Sequence, residues 1–140
     1  MRLEKGYPRY GSELNTEVTP FEAGVGFAVD MSKGGFTGFK ALQRVQQSGQ
    51  LRYQIVTLVL DDGTIDAIAG ETIYYKEEII GYVTSGAFGH TVNWPLAMAL
   101  IKPEYAQDGQ CFEVDILGDR RAAILRTSPP VDPGGLRLRS

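Results

Sequence analysis

The chain has 140 residues, 43% of them hydrophobic and 22% charged, which describes a globular domain with a core and excludes disordered, collagenous and low-complexity classes. Fourteen Lys and Arg against 17 Asp and Glu leave a net charge of −3 with no basic stripe, so nucleic acid is not expected as a partner. No run approaches the ~20 apolar residues of a membrane span, and the first residues, MRLEKGYPRYGSEL, have no signal-peptide core, so no membrane partner is expected and a reducing compartment is the default.

Thr19-Pro20-Phe21-Glu22 has the form of a capping box, with Thr19 as cap, Pro20 at the first helical position and Glu22 reaching back. Gly24 and Gly26 follow at once, so only a short helical turn is expected. Ser32-Lys33-Gly34-Gly35 reads as loop. Thr37 is expected to cap a helix over Gly38–Gln47, with Phe39, Leu42 and Val45 on one face and Gly49 just past its end. The polar stretch Gln46–Gln50 is the best internal boundary.

Beyond it β-branched and aromatic residues dominate. Tyr53–Leu60 reads as a strand and Asp61-Asp62-Gly63 as a turn. Glu71–Tyr75 is a short strand, Lys76-Glu77-Glu78 a polar hairpin connection, and Ile79–Ser85 a strand whose Gly81 marks a bend or close packing. Pro95–Ile101 is apolar and fits either strand or helix. Phe112–Leu117 alternates, Gly118-Asp119 has the look of a hairpin turn, and Arg120–Leu125 returns. This spacing of short strands points to a small antiparallel barrel or sandwich. From Thr127 on, prolines and glycines read as a tail, with Arg137 and Arg139 at a solvated end.

Few residues carry chemistry. One cysteine, Cys111, excludes an internal disulfide and a cysteine-based zinc site; at a strand start it reads as a small buried apolar residue. His90 is the single histidine, which excludes any site with two His ligands; it reads as a loop residue bonded to nearby backbone, with a general base as the alternative. Neither a dinucleotide nor a P-loop fingerprint is present: Gly24 and Gly26 are followed by Val29. Asp61-Asp62 and Glu77-Glu78 read as solvated turn carboxylates. Arg2 and Glu4, two apart, would share one side of an extended segment; an Arg with a carboxylate suits a ligand bearing both a negative group and N–H donors, and otherwise is a surface ion pair.

Several words, in order, add to this reading. Arg2-Leu3-Glu4-Lys5-Gly6-Tyr7, Tyr10-Gly11-Ser12-Glu13-Leu14, Thr19–Phe27, Phe36–Leu42, and Gly81–Gly86 followed by Pro95–Ile101 resemble the aminomethyltransferase family, the glycine cleavage T-protein and its relatives. Gly70-Glu71-Thr72-Ile73-Tyr74 and Ser85–Val92 are more similar to the folate-domain tail of dimethylglycine and sarcosine dehydrogenases. The resemblance runs from about Arg2 to Thr127 and implies a mainly β chain with a short α/β lead-in. Residues 1–50 would be the end of a folate-binding domain, 51–127 the small C-terminal antiparallel β-barrel, and 128–140 a tail.

It further implies tetrahydrofolate as the one-carbon acceptor in the parent enzyme, with Arg2 and, less directly, Glu4 as cofactor-binding residues. No catalytic residue maps onto this chain. The family's catalytic Asp, most of its folate pocket and, in the dehydrogenases, an FAD domain would lie before Arg2. The implied partner is that preceding segment, in the same chain or a separate one, with a homodimer as a further option. The implied compartment is the cytoplasm, or the mitochondrial matrix in a eukaryote. Lys5 departs from the family word, where T-proteins often have Ala. A free-standing barrel acting as an interaction or assembly subunit, without a folate site, is the competing reading.

Overall fold

The computed structural model describes residues 1–61 and 65–139, the last two by backbone alone. The turn expected at Asp61-Asp62-Gly63 therefore lies, but for Asp61, outside the described residues, as does the side chain of Arg139.

Six strands carry the fold: β1 Gln54–Leu60, β2 Thr72–Tyr75, β3 Glu78–Gly89, β4 Trp94–Ile101, β5 Cys111–Ile116 and β6 Asp119–Arg126. Their order is β1-β4-β3-β2-β5-β6, closed, with every pairing antiparallel. Among the described residues, closure leaves no edge strand in the barrel to attract other strands. Alternate positions fill the interior: Val56, Leu58 and Leu60 from β1, Ala97, Ala99 and Ile101 from β4, and Phe112, Val114 and Ile116 from β5. Pro95–Ile101, open between helix and strand in sequence, pairs on both sides and is a strand.

Gly81 faces Ile101 across the β3–β4 pairing, and a Cβ there would sit 2.1 Å from the Leu100 carbonyl oxygen. Close approach of two backbones explains the glycine. The β5–β6 turn centres on Leu117 and Gly118, both with positive φ, and Asp119 already pairs with Ile116. The hairpin thus turns one residue earlier than the sequence indicates, the Asp115 carboxylate accepting the Gly118 N–H at 2.9 Å.

The lead-in has little regular structure. Helix α1, Phe39–Ser48, ends at Gly49, whose N–H donates to the Val45 carbonyl at 3.1 Å. Its cap is Gly38 rather than Thr37: Gly38 is left-handed and no side chain caps the first turn, so the helix starts one residue later than expected. None of its residues is buried. A single 3₁₀ turn, Leu3–Lys5, packs instead on β3 and β4. Leu3 joins Leu96 and Met98, with Ile55, Val59 and Val92, in a second small core on the barrel's outer face. A short helix, α2, spans Leu136–Arg139.

Candidate functional site

A bulge in β3 creates the most structured polar cluster. Val83 lies opposite Ala99, but Ser85, not Thr84, lies opposite Met98. The extra residue inverts the alternation: Val83 points into the barrel core and Ser85 onto the outer face beside Met98. There the Ser85 hydroxyl donates to Glu13, a carboxylate with no solvent exposure. Glu13 also accepts the Arg9 N–H at 2.7 Å and an Arg2 guanidinium N–H at 2.9 Å. Burial alone would raise the Glu13 pKa, yet Ser85, the Arg9 amide and the Arg2 charge hold it below its usual value.

Arg2 is fastened through one nitrogen, Nη1. The same Nη1 donates to the Tyr7 carbonyl at 3.0 Å and lies 3.8 Å from the Met98 sulfur. The side chain keeps 31% of its exposure and, with Arg9, borders two adjoining clefts of about 320 and 280 Å³. The Arg9 guanidinium rests on the Ser12 hydroxyl at 2.7 Å. Ala67–Ala69 form one wall, where Glu71 accepts the Ile68 N–H at 2.7 Å. Two guanidiniums thus border an opening that Asp66 also lines, and their free N–H donors suit an anionic group.

Glu4 goes elsewhere. The segment is a 3₁₀ turn, not extended, so Arg2 and Glu4 do not share a side and form no ion pair with each other. Glu4 is buried and accepts the Thr91 N–H at 2.6 Å and its hydroxyl at 3.1 Å. Burial by itself would raise its pKa, and those two bonds bring it below the usual value. Its oxygens are taken up in fixing the turn to the β3–β4 loop.

A third buried carboxylate braces the lead-in. The capping box is present in full: Glu22 accepts the Thr19 N–H at 2.7 Å while the Thr19 hydroxyl accepts the Glu22 N–H at 3.3 Å. Glu22 also accepts the Arg52 backbone N–H at 3.0 Å and its guanidinium at 3.2 Å. Burial opposes the charge, but these donors lower the Glu22 pKa to about 2.

The other sequence candidates stand apart from this cluster. His90 is exposed, its ring edge-on to Phe88 at 5.2 Å. Cys111 is exposed rather than buried, because Phe112, Val114 and Ile116 take the inward positions of β5. Glu77 and Glu78 are exposed but pair with Arg120 and Lys102 across the strands. Another groove, about 390 Å³, is walled by Val59, Val92, Trp94, Leu96, Ile124 and Pro130; it is apolar and shares no residue with the Arg2 clefts. Among the described residues no cluster of three or more His, Cys, Asp or Glu is arranged to hold a metal. No helix among them is long and apolar enough to cross a membrane.

Sequence reasoning singled out Arg2 and Glu4 but gave Glu13, Ser85 and Glu71 no role. The available signal was a carboxylate inside an otherwise polar turn word, which does not by itself reveal burial.

The fold and cluster define a closed six-stranded antiparallel barrel domain whose outer face carries a polar turn. The model of the glycine cleavage T-protein C-terminal barrel domain matches residues 54–132, more than half of the chain, and the protein belongs to that family. Mitochondrial dimethylglycine dehydrogenase of Rattus norvegicus is 34% identical over 99% of this chain, which spans 16% of that protein. An aminomethyltransferase of Desulfitobacterium hafniense is 37% identical over 84% of the chain and is spanned to 32% of its length. The crystal structure of glycine cleavage system aminomethyltransferase T from Bartonella henselae superposes with a TM-score of 0.86 at 28% identity, over 94% of this chain and 37% of that one. The chain thus spans about a sixth to a third of the curated relatives it matches.

Proposed function

We propose that this chain is the C-terminal portion of a tetrahydrofolate-dependent enzyme that transfers one-carbon units from N-methyl or aminomethyl amines, of the dimethylglycine/sarcosine dehydrogenase or T-protein type. The observation that carries the reading is Arg2: a partly exposed side chain, anchored by the buried Glu13, at the mouth of paired clefts. The residues fit part of a folate, whose glutamate carboxylates call for cationic donors. They do not form a whole pocket, which needs enclosing walls and several converging polar groups. The remaining walls, the catalytic acid and any FAD domain would come from the parts of the relatives that this chain does not match, in the same chain or in a partner chain. Compartment follows the parent enzyme, cytoplasm or mitochondrial matrix.

When bound, tetrahydrofolate supplies the nitrogen acceptor for the one-carbon unit. This chain's contribution is orientation: Arg2 holds an anionic group of the ligand, and Glu13 fixes Arg2. Positioning two reactants is a large part of catalysis in such a transfer. Glu4 serves by holding the turn against Thr91.

A second reading, a free-standing assembly module, draws on the exposed Phe27 and on α1, whose apolar stripe has no buried residue. Calorimetry separates the two. One screened Arg contact contributes about 1 kcal/mol or less, against the roughly 8 kcal/mol of micromolar affinity. The 140-residue chain is therefore expected to bind tetrahydrofolate more weakly than micromolar, and addition of the matching remainder of the enzyme to restore binding that Arg2→Ala weakens. Micromolar binding by the chain alone, abolished by Arg2→Ala, would replace this proposal with a self-sufficient folate protein. Restored binding indifferent to Arg2→Ala would favour the assembly module.

A further inference from the structure

The residues after Thr127, which the sequence presents as a tail, are fastened to the turn that carries Arg2. The Val131 N–H donates to the Glu4 carbonyl at 3.0 Å. The Pro129 ring lies against Gly6, where an added Cβ would come 3.0 Å from its Cγ, and Gly6 closes the 3₁₀ turn in a left-handed conformation. The Lys5 ammonium pairs with the Asp132 carboxylate, the two side chains only 19% and 8% exposed. Asp132 is itself built in: it has φ +48, the left-handed region that Asp tolerates better than most residues because its side chain bonds locally, and its carboxylate accepts the Leu136 N–H at 2.9 Å and the Arg137 N–H at 3.3 Å.

The turn it grips is the one that aims Arg2. The Arg2 carbonyl accepts the Lys5 N–H at 3.2 Å and the Tyr7 N–H at 3.1 Å, and the Arg2 guanidinium donates to the Tyr7 carbonyl. Arg2 is therefore referenced at both backbone and side chain to Lys5–Tyr7. Those residues are referenced in turn to Pro129–Asp132. Glu13 secures one nitrogen of the guanidinium from the barrel side; the strap secures the backbone from the other.

We infer that the Pro129–Asp132 strap is a positioning element for Arg2, acting through the Lys5–Asp132 pair, and that Asp132 and Lys5 control anion binding at Arg2 without touching the ligand. The inference rests on the reading of Arg2 as a ligand-facing residue.

The test uses the 140-residue chain, isotope-labelled, with Asp132→Asn, which keeps an acceptor for Leu136, and Lys5→Met, which keeps the apolar stem. Rotation of the Arg2 guanidinium is read from its Nη resonances, and exchange is followed at the Gly6 and Tyr7 amides. In the parent chain the Arg2 Nη resonances are expected to be separate. In either variant rotation and exchange are expected to quicken about tenfold, the scale of one charge-assisted hydrogen bond, with the double variant no worse than the singles. Core amides such as Leu58 and Val114 are expected to be unchanged, and Lys5→Arg to retain the slow rotation. Unchanged Arg2 rotation in both variants, or an equal loosening of the core amides, would overturn the inference. If Arg2 loosens as stated while folate binding by the assembled enzyme ignores Arg2→Ala, the strap stands and the folate reading falls.

Discussion

Glu22→Gln removes a carboxylate that the fold stabilises strongly. Glu22 is buried and accepts N–H donors from Thr19 and Arg52, which lower its pKa from the ordinary 4.5 to about 2. A shift of that size corresponds to about 3 kcal/mol in favour of the charged folded form. Arg52 is 64% exposed, so added salt screens its share, while the two backbone N–H bonds are screened little. Because the folded pKa lies below the unfolded one, this stabilisation is complete above about pH 5. It declines as the pH falls through 4.5 and is gone near 2. Denaturant unfolding of parent and variant from pH 2 to 7 should show a gap of up to about 3 kcal/mol at neutral pH that closes toward pH 2. A gap independent of pH, or none at pH 7, would refute the assignment of the stability to the ionised carboxylate.

Gly81→Val should prevent proper closure of the barrel, since its Cβ would overlap the Leu100 carbonyl at 2.1 Å and Ile101 Cα at 2.7 Å; a loss of about 3 kcal/mol or more is expected, and an unaltered melting temperature would contradict the close-approach argument. Ser85→Ala takes a donor from the fully buried Glu13 and should cost about 1–3 kcal/mol in thermal unfolding, whereas Ser12→Ala, which touches only the exposed Arg9, should cost far less; equal losses would show that burial of Glu13 is not the cause.

What could be read from the chain was local. The Thr19–Glu22 box involves groups three residues apart, and its geometry follows from a single turn, so its residues announce it. The alternation in Phe112–Leu117 marks β5 because side chains change face at every step. Helix α1 emerged at nearly its true length, although Gly38 rather than Thr37 stands at its start. The burial expected of Cys111 fails because its face depends on the alternation of the strand it begins, not on its own polarity.

Sequence by itself determined that a small antiparallel β domain follows an irregular lead-in, and the order of its words marked the aminomethyltransferase resemblance. Only the tertiary structure decided which way Ser85 faces, since that depends on one bulge in the pairing of β3 with β4. It alone brought Glu13 to Ser85, 72 residues away, Glu4 to Thr91, 87 away, and Lys5 to Asp132, 127 away. The physical reason is reach: periodicity and capping relate groups within about one turn or two strand positions of each other. A buried carboxylate instead takes its donors from whichever strands and loops barrel closure sets around it.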